Sequence, residues 1–465
     1  MAVSSPAESP TAAVRLPRTV ARAAPTAVRP SGGRRPATAI RLIDAAIVGF
    51  MLMAVVSLFT LSGAMLTTWK IHYLTNGGNF YEKLHPATYF TVLALGLMII
   101  RNGDPIGDII RMFSGAQLLL FYLACWLCLL VQMLATGRPF TVIIDTFLLP
   151  LLLCLVIWRL RGEQRRPLLW ALHLTILINI VIGYYEYFTG HRLIPLALGD
   201  IVVKGEWRAS ALLGHPLTAS GVVAGYVLAL VFRPVLCPPI VLRLPLITFS
   251  LASLMVFGGR TSLVTTLVII GVAAGFQVFR VLRGGRVPLL AVAGAICLVF
   301  ASAAVVFLAL DAGIFDKMLL RFSSDKGSAS TRYATIDLLS HFDWHELVFG
   351  PDPVRADALQ NAAGLKYGIE DFWVASIVEF GIVSTVLLTL GLAALFAEIL
   401  KRATGAASLI LLLIIIVAAS SVSFSSKNIQ LAQFAVMITL LLPRERVVAP
   451  LPRPQGRPRR AAAYA

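Results

Sequence analysis

The chain has 465 residues, of which 58% are hydrophobic and 14% charged, against roughly 45–50% and 25% in an ordinary soluble domain. That balance, with a mean hydropathy of +0.83, excludes a soluble multidomain enzyme and demands lipid as the solvent for runs such as 43–66 and 287–310. Forty Lys and Arg against 23 Asp and Glu leave a net +17, which in a membrane protein is first a matter of sidedness and needs no nucleic-acid partner.

Residues 1–41 are rich in Ala, Pro, Arg and Ser, with Glu8 as the only acid. They cannot bury a core and are expected to be a disordered cytosolic tail; prolines and the lack of an amphipathic period argue against a transit peptide. The basic tail 444–465 reads the same way. Between them, 42–443, lie twelve candidate spans: 43–66, 85–100, 114–134, 140–158, 168–188 and 216–232, then 240–257, 262–279, 287–310, 372–396, 406–422 and 429–442. Several fall short of the roughly 20 residues that a straight span needs, so one pair reads equally as re-entrant. Cys125, Cys128, Cys154 and Cys297 lie in apolar runs and Cys237 in a short loop, which indicates neither a disulfide framework nor a zinc site.

With the amino terminus inside, 26 of the 40 Lys and Arg fall on the inner side, as the positive-inside rule requires, and both termini are cytoplasmic. No internal repeat is visible. The two longest loops, 311–371 and 189–215, share the outer side, and loops of such length are usually functional. Within the longer one, 330–342 predicts an amphipathic helix with Tyr333, Ile336, Leu339 and Phe342 on one face. His341 and His345 flank Asp343 beside Glu346, a spacing that fits an exposed helix face better than a metal site.

Charged residues at span ends point to function because they are costly there. Asp145, Glu186, Arg260 and Glu379 all converge on the outer leaflet, joined by the polar turn 420–428. They read either as a site opening outward or as helix-to-helix pairing of Asp145 and Glu186 with Arg260.

Arg208 followed by Gly214-His215-Pro216, then Gly259-Arg260-Thr261-Ser262, then 328–332 with Phe349-Gly350, and finally Glu379-Phe380-Gly381-Ile382 come in an order that resembles the O-antigen ligase and Wzy-type O-antigen polymerase superfamily. The resemblance covers roughly 140–385. Many members place His-Asn eight or nine residues before the Glu; here Glu370 and Asp371 stand there. That departure favours a VpsF-like exopolysaccharide polymerase branch over a ligase. The resemblance implies an all-α, GT-C-like membrane glycosyltransferase in the bacterial inner membrane, acting at the periplasmic face on an oligosaccharide carried by undecaprenyl diphosphate. Membrane lipid, chain-length regulators and export proteins are the partners it implies.

Glycosyl transfer to a hydroxyl needs a base for the acceptor proton and cations for the leaving diphosphate. Glu370 and Asp371, at the junction of loop and apolar span, have the partial desolvation and like-charged neighbour that suit a base; they suit equally a helix N-terminus. No Asp-x-Asp pair occurs, so metal-independent chemistry without a cofactor is expected, with Arg208, Arg260 and Arg332 gripping the diphosphate. His215 either donates to a phosphate or sugar oxygen or caps its helix, and Glu379 completes the substrate-binding set. The rival readings are a ligase that moves the finished glycan and a flippase for the lipid-linked oligosaccharide.

Overall fold

The computed structural model describes residues 37–75, 77–198, 201–202, 206–232, 234, 238–284, 311, 313, 316, 320, 328–365, 368–420 and 427–444. Both tails, the candidate span 287–310 and the turn residues 421–426 lie outside the described residues.

In chain order the helices are α1 (Ala37–Thr60), α2 (Gly63–Thr68), α3 (Pro86–Ile100), α4 (Pro105–Ser114) and α5 (Gln117–Ala135). Next come α6 (Thr141–Arg159), α7 (Gly162–Thr189), α8 (Pro216–Val231), α9 (Ile240–Phe257) and α10 (Arg260–Leu282). The long loop contributes α11 (Ser328–Ser340), α12 (Trp344–Phe349) and α13 (Pro353–Ala362). The chain closes with α14 (Phe372–Arg402), α15 (Ala407–Ala418) and α16 (Gln430–Leu441). Among the described residues, one short antiparallel ladder, Ala197–Leu198 with Ile201–Val202, and an isolated bridge between Ala403 and Pro443 accompany the helices.

Six of these helices, α1, α5, α6, α7, α10 and α14, are long and apolar enough to cross a membrane, and α3, α8, α9, α15 and α16 are shorter apolar helices. The chain is therefore a helical membrane protein. Its first expected span ends early, at Thr60, because Ser62 starts α2 by accepting from the Met65 amide.

The centre is made by α8 and α16, which are buried along almost their whole length. With lipid outside, no hydrophobic force drives helices together, so close backbone approach must do it. Gly221 and Gly225 supply that approach. A Cβ at Gly221 would meet Gln430 Nε2 at 2.5 Å, and one at Gly225 would meet Phe434 Cε1 at 2.8 Å. The same device seats α7 on α9, where Gly183 faces the Phe257 ring at 2.6 Å.

The long helix α14 is broken by Gly381, whose φ of 81° and ψ of 166° belong to glycine alone. The break makes room for α12: the amide nitrogen of Gly350 lies 2.4 Å from where a Gly381 Cβ would be. Gln132 of α5 holds both chains, donating to Phe349 O (3.0 Å) and Phe380 O (2.6 Å). The loop helices thus form a small core of Leu338, Phe342, Ala356, Leu365 and Ile369 on Ala375 and Val378 at the start of α14.

The expected helix in this loop is present as α11, but its buried face differs from the expected one. Thr335, Leu338 and Phe342 are buried, whereas Tyr333 and Ile336 are 76% and 66% exposed. The segment carries two apolar stripes, and contact with the start of α14 selects the one that includes Leu338 and Phe342.

Candidate functional site

One end of the bundle, where α1, α4 and α16 have their outer turns with the start of α7, carries Asp44, Arg101, Arg161 and Arg402. The opposite end carries the long loop and most of the residues expected to act. Two of its three polar clusters build on the same N-cap device. His85-Pro86 and His215-Pro216 open α3 and α8, with proline at the first helical turn and the histidine Nδ1 accepting the amide of Ala87 or Leu217, each at 3.2 Å.

The first cluster joins the 189–215 loop to the turn between α9 and α10. Glu186, 3% exposed, accepts three backbone amides: Leu193 (3.1 Å) and Ser210 and Ala211 (2.9 Å each). Asn179 continues this anchorage, accepting from Leu212 N at 3.1 Å while donating to Phe59 O at 2.7 Å. Among the described residues neither Asp145 nor Glu186 pairs with Arg260: the Glu186 carboxylate is spent on backbone amides and Asp145 accepts from His85 N and Thr88 Oγ1, so the helix-to-helix pairing that was one of the two readings is not formed.

On that anchored loop, Arg192 Nη2 donates to Glu206 O at 2.7 Å and to Arg208 O, and Arg208 Nη2 pairs with Glu206 Oε2 at 2.7 Å. The stem of Arg208 lies on Gly258, with Cγ and Cδ 2.6 Å from the position of a Cβ there. Ala209 N donates to Val256 O at 3.2 Å. Arg208 thereby lies against Gly258, two positions before Arg260 in the chain, and His215 lies within electrostatic reach of Arg208 and Arg192.

Burial, reinforced by those two guanidiniums, pushes the His215 pKa down to about 4. The ring is neutral at pH 7, and since Nδ1 accepts, Nε2 carries the proton and is the available donor. Burial also lowers the Arg192 pKa from its ordinary value, against the pull of Glu186 and Glu206. Arg192 Nη1 and Arg208 Nε are buried donors without a hydrogen-bond partner among the described residues. A cluster with guanidinium donors left over is suited to an anion.

The second cluster surrounds Asp145, which is fully buried in a π-helical turn, Ile144–Leu148, of α6. Such turns widen the helix and turn side chains into the interior. Asp145 accepts from His85 N (3.0 Å) and Thr88 Oγ1 (2.6 Å), with Lys427 Nζ at 3.9 Å. Lys427 sits 3.9 Å above the Tyr73 ring and donates to Tyr73 O at 3.2 Å and to Lys83 O. Burial, opposed by Asp145, lowers its pKa to about 8.

The third cluster lies under α12 and α13. The charged neighbours of Glu379 are Arg138 and Asp357, and Arg138 donates to Pro351 O. Glu379 therefore belongs to the docking of the long loop and is not brought to Arg208. Asp371 caps α14, accepting from Val374 N at 2.9 Å. Glu370 is half-buried and makes no hydrogen bond or ion pair among the described residues. The next residue after this acidic pair, Phe372, packs its ring on Phe147 of the Asp145 turn, centroids 6.4 Å apart. Arg332 lies in α11, and its side chain is outside the described residues.

Asp343 and Glu346 form the capping box of α12, and Arg355 pairs with Glu346 at 2.8 Å, so these acids serve helix structure. Sequence reasoning missed His85, Arg138, Asn179 and Arg192. For His85 the signal was in view, because its His-Pro pair repeats that of His215; for Asn179 it was a lone amide in an apolar run.

No family model matches the chain, and no curated protein matches it.

Proposed function

We propose that this membrane protein polymerises oligosaccharide repeat units carried on a polyprenyl diphosphate, at the periplasmic face of the bacterial inner membrane. The observation that carries the reading is the seating of Arg208 on Gly258, which gathers Arg192, Arg208, His215 and the Arg260 turn at one rim. Two buried guanidinium donors there lack hydrogen-bond partners among the described residues. The order of these residues along the chain also resembles that of the O-antigen polymerase and ligase superfamily.

The acceptor hydroxyl of one repeat unit gives its proton to Glu370, and its oxygen bonds to the anomeric carbon of the other unit. The bond from that carbon to the diphosphate oxygen breaks, and the electron pair leaves with the diphosphate. Guanidinium groups of Arg208 and Arg260, with Nε2–H of His215, meet the charge that develops on the leaving oxygens. Asp371, fixed as the cap of α14, positions Glu370 beside the loop. Arg332 and Glu379 remain assigned to substrate binding in this reading, with Glu379 acting from the loop-docking cluster.

Orientation with both termini cytoplasmic is supported by the basic residues Arg101, Arg111, Arg159 and Arg161 at the end where α1 begins.

A second reading, a flippase for the same lipid, gains from the buried Asp145–Lys427 pair, since intramembrane charge is costly and often marks a transport path. Reconstitution of the purified protein with labelled polyprenyl-diphosphate repeat units separates the two. Polymerisation gives new glycosidic bonds; movement of label across the bilayer without them rejects the enzymatic reading. A ligase would instead attach glycans to a second acceptor without lengthening them.

A further inference from the structure

At the opposite end of the bundle from the polymerase site, α4 is a surface helix with two unlike faces. Asp108 and Met112 are turned into the protein and buried. Ile106, Ile109 and Ile110 point away and are 73%, 41% and 61% exposed. An isoleucine face of that kind on a short amphipathic helix fits the boundary between lipid headgroups and acyl chains.

Behind α4 lies a polar cavity of about 120 Å³, lined by Asp44, Arg101, Asn102, Asp108, Arg159 and Gln164 among others. Its two carboxylates are already neutralised. Asp44 is shared between Arg101 (2.7 Å) and Arg161 (3.1 Å), and Asp108 binds Arg111 at 2.7 Å and Asn102 at 3.0 Å. Asp104 adds a further contact to Arg111 at 3.5 Å, so four guanidiniums, Arg101, Arg111, Arg159 and Arg161, stand against three acids, Asp44, Asp104 and Asp108. Arg159 lines the cavity and makes no ion pair among the described residues. The surplus is positive, and it sits at the depth that the isoleucine face sets.

We propose that this cavity binds the phosphate headgroup of an anionic phospholipid of the adjoining leaflet, with the acyl chains lying along the isoleucine face of α4. Charge complementarity selects the headgroup, and the exposed apolar row beside it selects a lipid over a free anion. The site is separate from the glycosyl-transfer site and does not depend on that reading.

Native mass spectrometry of the purified full chain, titrated with phosphatidylglycerol or phosphatidylcholine, tests it. Wild type retains phosphatidylglycerol in preference to phosphatidylcholine. Arg159→Gln, which breaks no described ion pair, lowers phosphatidylglycerol occupancy about fivefold, the worth of one basic residue near an anionic surface. Ile106→Ser with Ile110→Ser lowers retention of the lipid while the thermal midpoint stays at the wild-type value. Arg166→Gln, at an exposed arginine in the first turns of α7 that does not line the cavity, leaves occupancy unchanged. Equal retention of the two lipids by wild type overturns the proposal. An Arg166→Gln loss equal to that of Arg159→Gln also overturns it, because the attraction is then a diffuse surface field. Displacement of phosphatidylglycerol by millimolar inorganic phosphate overturns it in favour of a free-anion site.

Discussion

The Arg208 side chain lies across the backbone of Gly258 with no space for a methyl group between them: a Cβ would fall 2.6 Å from both Cγ and Cδ. Gly258 also has a φ of 67°, so the position demands glycine twice over, once for the backbone and once for the arginine.

Gly258→Ala is expected to move the guanidinium and cut turnover about 100-fold, the scale of a misplacement of about 1 Å in a catalytic array. Gly103→Ala is the control. It has the same kind of backbone, φ 77°, with nothing near its Cβ, and should keep wild-type turnover. Arg208→Lys should not restore activity, since an ammonium cannot replace two forked donors.

Glu186 holds the 189–215 loop through three backbone amides. Glu186→Ala strands all three and is expected to cost at least about 3 kcal/mol, at about 1 kcal/mol or more for each buried donor left without a partner. Glu186→Gln retains one carbonyl acceptor and should fall between. Thermal unfolding in detergent, with proteolysis of the loop as a local readout, orders the three proteins as wild type, Gln, Ala.

The pH dependence of His215 follows from its depressed pKa of about 4 in the folded protein, against about 6.5 for a free histidine. Between those values the unfolded chain takes up a proton that the folded chain refuses, so stability falls as pH drops from 6.5 to 4 and is unaffected above 6.5. The full effect is at most about 3 kcal/mol. His215→Asn keeps an N-cap acceptor and removes the titration. Its thermal midpoint should hold level over that interval relative to wild type, and a parallel fall in both proteins would refute the assignment.

Gly381 lets the loop dock, because only glycine adopts its φ and ψ and a Cβ would strike Gly350, Phe349 and Val348. Gly381→Ala is expected to cost about 1–3 kcal/mol in backbone strain alone. It should also expose α12 and α13 to protease while the bundle stays folded. Uniform resistance across the loop would show that the docking does not depend on this break.

The helical runs and their order were legible because lipid imposes long apolar segments, and the run expected at 114–134 is present as α5, Gln117–Ala135, with its first residue, Ser114, ending α4 instead. Interruptions were not legible. The π turn at Asp145 and the break at Gly381 answer to neighbours far away in sequence, His85 and Gly350. Of the site residues, Arg208 lies on Gly258 of the turn that precedes Arg260, and His215 lies near Arg208. Glu379 does not join them, since its helix carries it beneath the long loop toward Arg138. The acids at span ends were rightly singled out as costly, but their partners are backbone amides and Lys427, which composition cannot name.

The account stands or falls on the fate of the diphosphate. Purified protein supplied with a doubly labelled polyprenyl-diphosphate repeat unit, in the presence of a chelator, is expected to release one polyprenyl diphosphate for each new glycosidic bond, with lengthening chains as product and with the release lost in Arg208→Ala. Recovery of the lipid with its sugar–diphosphate bond intact, on either side of the membrane, would contradict it.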